Sequence, residues 1–149
     1  MPFNDVYGEL DEVQIMLDDG AYPVVRAHAE DAGLDLRTPV DVTIPVGKGV
    51  AIDTGVHILI PRGFYGKLES KSGLNVKHSI VSLGGTIDAN YAGSIVAKLY
   101  NFGSEDYTFH AGDKIVQLVI QTCENPRLVL VNKFPETDRG ANGFGSSGK

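Results

Sequence analysis

The stretches Gly55-Val-His-Ile-Leu-Ile60 and Ser94-Ile-Val-Ala-Lys-Leu-Tyr100 alternate along their length, with the period of two that turns successive side chains to opposite faces of a strand. Val56, Ile58 and Ile60 then face one way, as do Ile95, Ala97 and Leu99, while His57 and Lys98 face the other. Similar runs rich in Val, Ile, Leu or Tyr occur at Val13–Leu17, Asp41–Ile44, Phe64–Glu69, Asp113–Gln121 and Arg127–Val131, each followed closely by Gly, Pro, Asn or Asp. No window keeps helical periodicity through several turns, so at most one short helix is expected, around Ser72 to Lys77. Eighteen Gly and seven Pro are spread between the runs. This pattern predicts an all-β domain, a jelly-roll-like β-barrel or sandwich of short strands.

A chain of 149 residues buries one core but has no room for two lobes with a cleft between them. Any site must be shallow, built from loops, or shared between copies. With 42% hydrophobic and 21% charged residues the composition is that of a globular protein, not of a disordered, collagen-like or coiled-coil chain. The net charge of -6 gives no support to a nucleic-acid partner, yet it is unevenly placed. Residues 1–35 hold nine carboxylates against Arg26 alone, while residues 36–149 hold twelve Lys or Arg against ten Asp or Glu. A phosphate-bearing small ligand is therefore compatible with the later part of the chain. No apolar run reaches the length needed to cross a bilayer, so no membrane role is expected. The start MPFNDVYGELDEV has no basic region followed by an apolar stretch, and Cys123 is the single cysteine. The chain reads as intracellular and cytoplasmic, or as lying in host cytoplasm if viral. Cys123 ends the run IVQLVIQTC and reads first as a packed thiol, with a nucleophile as the alternative.

The segment from Glu136, ETDRGANGFGSSGK, has almost no apolar residue except Phe144. It reads either as an ordinary flexible terminus or as an arm whose lone aromatic serves a ligand. Its Gly143-Phe-Gly-Ser-Ser-Gly148-Lys149 fits the beginning of a P-loop pattern, but no Ser or Thr and no helix follow, which rejects a Walker site. Closely spaced glycines still let backbone N–H groups converge on an anion, with Arg139, Ser146 and Ser147 beside them. A second cluster, Glu69-Ser-Lys-Ser-Gly-Leu74, joins small hydroxyls to a cation and a glycine. Ser72 and Gly73 there either donate to phosphate or simply cap a helix. A third, Gly84-Gly-Thr-Ile-Asp-Ala-Asn-Tyr-Ala-Gly93, is rich in turn residues and could form a hairpin with Asp88 and Tyr91 near its tip. Asp88 is then a turn cap, or a carboxylate suited to deprotonate a water. His28, His57, His78 and His110 show no zinc-ligand spacing.

Five segments in this order resemble the motifs of the trimeric dUTP nucleotidohydrolases, the dUTPases: Ala32-Gly-Leu-Asp-Leu36, Ser70-Lys-Ser-Gly-Leu74, Gly85-Thr-Ile-Asp-Ala-Asn-Tyr-Ala-Gly93, Gly112-Asp-Lys-Ile-Val-Gln-Leu118, and Arg139-Gly-Ala-Asn-Gly-Phe-Gly-Ser-Ser-Gly148. The resemblance spans roughly Val13 to Lys149. It implies hydrolysis of dUTP to dUMP and pyrophosphate, which keeps uracil out of DNA and supplies dUMP for thymidylate synthesis. It further implies that Asp88 is the general base activating a water against the α-phosphorus. Tyr91 would pack on the deoxyribose, and backbone at Gly85 and Ile87 would read uracil, whose tight fit excludes the thymine methyl by clash. Lys71, Ser72, Gly73 and Gln117 would hold phosphate oxygens, and Asp35 would orient waters around Mg2+ carried by the triphosphate. Phe144 would stack on uracil while Arg139, Gly145, Ser146 and Ser147 close over the phosphates. Sites shared within a homotrimer are implied, and so is a division into an acidic extension at 1–12, a barrel at 13–135 and an arm at 136–149 that closes over a neighbouring site.

Several positions depart from the dUTPase pattern. Ser70 and Lys71 stand where Pro and Arg are common, and Lys lacks the bidentate fork of Arg. Asn90, Ser94, Asn142 and Ser147 replace the more usual acid, Glu, Gly and Thr. The dCTP deaminases share the fold and the third motif, but their acid/base Glu lies in the strand after the hairpin, and Ser94-Ile-Val-Ala-Lys-Leu-Tyr-Asn101 contains no carboxylate. A different kind of reading is a regulatory protein whose acidic start, with Asp5, Glu9, Asp11 and Glu12, engages a protein partner; the plainer alternative is a solvated extension.

Overall fold

The computed structural model describes residues 10–148. The first nine residues, which carry most of the acidic extension, and Lys149 lie outside them. The elements are β1 (Gln14–Leu17), β2 (Gly33–Arg37), β3 (Val42–Ile44), β4 (Gly49–Leu59), β5 (Phe64–Glu69), α1 (Ser72–His78), β6 (Ile80–Ser82), β7 (Thr86–Ile87), β8 (Ser94–Asn101), β9 (Tyr107–Phe109) and β10 (Lys114–Thr122). One four-stranded sheet runs β1-β4-β8-β6, a second runs β2-β10-β5-β7, and β3 pairs with β9. Every pairing between these strands is antiparallel. The all-β, jelly-roll-like expectation holds, and the one helix among the described residues lies where it was expected.

Both sheets turn one face to a shared core. Ile52, Val56, Ile58, Ile95, Ala97 and Leu99 come from the first sheet, Leu36, Leu68, Val116 and Leu118 from the second, and Ile44 and Phe109 from the β3–β9 pair. Along β8 the alternation is regular, with Ile95, Ala97, Leu99 and Asn101 buried and Val96 and Lys98 exposed. Asn101 brings an amide into this core with all its polar atoms engaged. Its Nδ2 donates to the Ile44 carbonyl at 2.9 Å and the Glu105 carbonyl at 2.8 Å, and its Oδ1 accepts from Gly103 N–H at 2.9 Å. One side chain thus ties the end of β8 to β3 and to the turn before β9.

β4 is longer than its alternating half. It begins at Gly49, and the register against β8 shifts between Asp53 and His57. Gly55, at φ +68°, sits in that bulge, so Asp53-Thr-Gly55 reads as a turn in sequence although the strand runs through it. Buried Thr54 stabilises the irregularity by donating to the Ile95 carbonyl at 2.7 Å and accepting from Val56 N–H at 3.2 Å.

The expected strand at Arg127–Val131 is not formed. The run is aliphatic from Leu128 to Val131, but among the described residues it pairs with no strand, and Leu128 and Leu130 are 90% and 98% exposed. A short aliphatic run shows a capacity for pairing; a strand also needs a free edge to pair with.

Replacing Asn101 with Ala leaves the Ile44 and Glu105 carbonyls and Gly103 N–H without their partner. We expect a loss of about 2–4 kcal/mol, read in urea unfolding as a lower midpoint with an unchanged slope.

Candidate active site

The register of the second sheet brings distant segments level. Gln117 on β10 stands opposite Asp35 on β2 and Glu69 on β5, and a one-residue slip would turn each of these side chains to the other face. Gly33 leaves the space that the Gln117 side chain fills, since a Cβ there would lie 2.0 Å from its Oε1. Gln117 Nε2 donates to the Ser70 carbonyl at 3.1 Å, joining β10 to the end of β5.

Asp35 is 4% exposed. Lys71 Nζ donates to its Oδ1, and Lys114 Nζ lies 2.9 Å from its Oδ2. Burial pushes this carboxyl up, but hydrogen bonds and charge from the two lysines outweigh it and hold the group below the usual carboxylate range. Lys71 precedes α1 in extended conformation, with no side-chain cap hydrogen bond at the helix start. The capping role for Ser72 is therefore absent, and Ser72 and Gly73 are exposed beside Lys71.

A second group gathers around Asp88. Gly85 has φ +112°, and a Cβ there would lie 2.8 Å from that of Leu68, so the chain can pass this close to β5 only without a side chain. Thr86 and Ile87 then pair with Lys67 and Gly66. Ile87 is buried and borders the same cavity as Asp88. The expected hairpin is not made: β7 pairs with β5 in the second sheet, whereas β8 pairs with β4 and β6 in the first. The segment between them crosses from one sheet to the other, held by Tyr91 N–H to the Asp88 carbonyl at 3.2 Å and Asn90 N–H to the Ile60 carbonyl at 2.9 Å.

The Asp88 carboxylate makes no hydrogen bond or ion pair with any described residue, so it caps nothing. It borders a cavity of about 290 Å³ with Gly85, Tyr91 and Val96. Tyr91 Oη donates to the Ser94 carbonyl at 2.9 Å, and a Cβ at Gly93 would lie 2.3 Å from that oxygen. Gly93 therefore fixes where the ring stands.

The arm residues are exposed almost throughout, and Phe144 is fully so at φ +49°. Arg139 Nε donates to the Asn142 carbonyl at 2.7 Å. The chain thus carries its candidate groups in three places. Asp35, Lys71, Ser72, Gly73 and Gln117 gather at one, and Gly85, Ile87, Asp88 and Tyr91 at another. Arg139, Phe144, Gly145, Ser146 and Ser147 lie on the arm. Asp35, Lys71 and Gln117 do not line the Asp88 cavity.

Sequence reasoning missed Lys114, although it lies inside the fourth segment. A bulge between Lys114 and Val116 breaks the alternation there, so no periodicity marks the residue as facing Asp35. His57 was also missed, and its two ring nitrogens contact Asp18 and Ala92. Besides Lys71, Ser70 and Ser94 among the unusual residues have side-chain partners. Ser70 Oγ accepts from Ser82 N–H at 2.9 Å, Asn90 takes φ +65°, and Ser94 Oγ donates to Asp53. Cys123 is half-buried, with Sγ 3.8 Å from the Glu124 carbonyl. Among the described residues no group of three or more His, Cys, Asp or Glu is placed to hold a metal ion.

The dUTPase family model matches residues 21–148, a range that contains every candidate position. The chain belongs to the dUTPase family. It is 37% identical to the deoxyuridine 5'-triphosphate nucleotidohydrolase of Bifidobacterium longum subsp. infantis, over 99% of this chain and 98% of that one. Staphylococcus bacteriophage 80alpha dUTPase with dUpNHpp superposes with a TM-score of 0.87 at 29% identity, covering 93% of this chain and 99% of that one. A mutant dUTPase from phage phi11 of S. aureus, described with a structural Mg(II) ion, gives a TM-score of 0.77 at 28% identity over 83% and 99%. Membership makes the chain a dUTP diphosphatase, an enzyme of nucleotide metabolism. No described helix of this dUTPase-family chain is long and apolar enough to cross a membrane.

Because the Asp35 carboxyl is depressed, the stability it contributes is present above the unfolded carboxylate pKa, near 3.8, and is lost as pH falls through the lower folded value. We expect Asp35→Asn to flatten the acid limb of thermal stability below about pH 4, read by melting temperature against pH. The same change leaves two lysines without their carboxylate and lowers stability near neutrality.

Proposed function

We propose that the chain hydrolyses dUTP to dUMP and pyrophosphate with Asp88 as general base, in sites assembled between the copies of a homotrimer. The observation that carries this reading is the unpartnered Asp88 carboxylate facing the same cavity as the Tyr91 ring. Asp88 takes a proton from a water whose oxygen bonds to the α-phosphorus in line. The bond from that phosphorus to the β-phosphate oxygen breaks, and pyrophosphate leaves. A carboxylate without a protein partner keeps its lone pairs for the water, which general-base work requires. Tyr91, held by Ser94 and Gly93, packs on the deoxyribose and leaves no room for a 2′-hydroxyl. The backbone of Gly85 and Ile87 reads the uracil edge.

Phosphoryl transfer depends on positioning and neutralisation more than on covalent help. Lys71, Ser72, Gly73 and Gln117 supply contacts to phosphate oxygens, and Lys71 has three N–H donors, enough to serve Asp35 and a phosphate together. Arg139, Phe144, Gly145, Ser146 and Ser147 close over the nucleotide from the arm, 136–149, that extends from the barrel, 13–135. Mg2+ enters with the triphosphate as part of the substrate. The described side chains do not fit a resident metal cage, because Asp35 already binds two ammonium groups. The lone pairs left on Asp35 suit a water of the ion's hydration shell.

The trimer is supported by surfaces that one copy leaves open. Ile15, Met16 and Leu59 are exposed together on the first sheet, and Leu128 and Leu130 stand in solvent. The separation of the phosphate-side group from the Asp88 group supports sharing in the same way. Deamination of dCTP lacks its carboxylate on β8, where the described residues include neither Asp nor Glu. The product dUMP feeds thymidylate synthesis, and removal of dUTP keeps uracil out of DNA.

Asp88→Asn should retain nucleotide binding and lose about 10²- to 10⁴-fold in turnover, measured as pyrophosphate release across dUTP, dTTP, UTP and dCTP with and without Mg2+. Turnover near that of the parent protein would remove Asp88 from the role of base. Truncation after Asp138 should abolish most activity with little change in melting temperature. Unfolding and refolding a mixture of the truncated protein with Asp88→Asn should restore part of the activity, since some mixed sites then take an intact arm and an intact base from different copies.

A further inference from the structure

His57 lies at the bulge of β4, opposite Ser94 of β8 on one side and Met16 of β1 on the other. Its Nδ1 is 2.8 Å from the Ala92 carbonyl oxygen, and its Nε2 is 2.9 Å from Asp18 Oδ1. Both partners are acceptors. A neutral imidazole carries one N–H and presents a lone pair at the other nitrogen, so it satisfies one contact and sets a lone pair against an oxygen at the other. Only the imidazolium donates to both.

The Ala92 carbonyl belongs to the segment that carries Asp88 and Tyr91 across from one sheet to the other. The first half of that segment is fixed by β7 pairing and by Asn90 N–H on Ile60. Its second half is fixed by Tyr91 Oη on the Ser94 carbonyl and by His57 on the Ala92 carbonyl. The charged groups that face His57 are Asp18, in the turn after β1, and Asp53, on β4 itself. Within one copy the remaining wall beside it consists of Gln14, Ile15, Met16 and Leu59 and carries no charge.

We propose that His57 is a positioning residue for dUTP hydrolysis: a doubly protonated imidazole held between Asp18 and the Ala92 carbonyl fixes the Asp88–Ser94 segment, and turnover falls as that proton is lost. The inference rests on the reading of Asp88 and Tyr91 given above. The surroundings favour the charged form. The Ala92 carbonyl, then the Asp18 hydrogen bond and the two carboxylates, outweigh desolvation and hold the imidazole above its ordinary value. The link is thus complete below the usual histidine range and is lost as pH rises through the raised value.

The test pairs two readouts on the full chain. Ring C–H resonances of His57 and the amides of Ala92 and Gly93 are followed by NMR against pH, and kcat/KM for Mg2+-dUTP is measured over the same range. We expect His57 to titrate above the ordinary imidazole value, the two amides to move with it, and an alkaline fall in kcat/KM to coincide. Asp18→Asn, a change at an exposed side chain, should carry the ring titration and the alkaline fall together toward lower pH. His57→Gln should flatten that fall and lower kcat/KM at pH 6 by about tenfold, within the range that a small misplacement produces. A His57 that titrates below the ordinary value overturns the proposal. An alkaline fall that stays in place while Asp18→Asn moves the ring titration overturns it as well. If dUTP releases no pyrophosphate at any pH, the functional reading fails, while the amide titrations still decide whether His57 holds the segment.

Discussion

Two ammonium groups reach one buried carboxylate from different directions, Lys71 from the approach to α1 and Lys114 from the start of β10. A carboxylate as enclosed as Asp35 is costly in low dielectric unless it is paired, and here the pairing draws together three parts of the chain that are far apart in sequence. The same level of the sheet carries Gln117, whose amide reaches back to Ser70 across the space left by Gly33. The group proposed to meet phosphate is therefore held together by the chain's own contacts. Lysine where arginine is common changes the chemistry of this junction. A bidentate fork would match one carboxylate with one cation, whereas two point charges divide the work, one on each oxygen.

The other half of the site is organised by backbone. A short strand pairs in one sheet, the next strand pairs in the other, and the intervening residues cross at the surface with Asp88 at their start. Such a crossing has few ladder hydrogen bonds of its own, so its shape depends on what the neighbouring strands offer. Ile60, Ser94 and His57 supply those contacts, and Gly85 and Gly93 let the chain come close to Leu68 and to the Tyr91 ring.

β5, β8 and the second half of β4 were legible because alternation and burial coincide there, whereas β2, which brings Leu36 to the core, was not read as a strand. The first half of β4 was hidden by Asp53-Thr-Gly55, a bulge that has the composition of a turn. β6, β7 and β9 are too short to carry a period. Arg127–Val131 has the pattern of a strand and no partner, so local pattern overstated what one copy can build. The site residues were legible as motifs in order, a resemblance rather than a derivation. Neither periodicity nor motif could show that Lys114 turns toward Asp35 or that the third segment spans two sheets, because both depend on register.

The unpaired run Leu128-Val-Leu-Val131 has a consequence for the life of the chain before assembly. Four consecutive aliphatic residues with strong β propensity are the kind of segment that seeds intermolecular sheets. This one is bracketed by Pro126 and Arg127 on one side and Lys133 and Pro135 on the other. Charge and missing N–H donors at both ends cap its growth into longer ladders. The flanks thus act as gatekeepers: they allow a short edge to be covered while discouraging the open-ended stacking that would turn an unassembled subunit into aggregate.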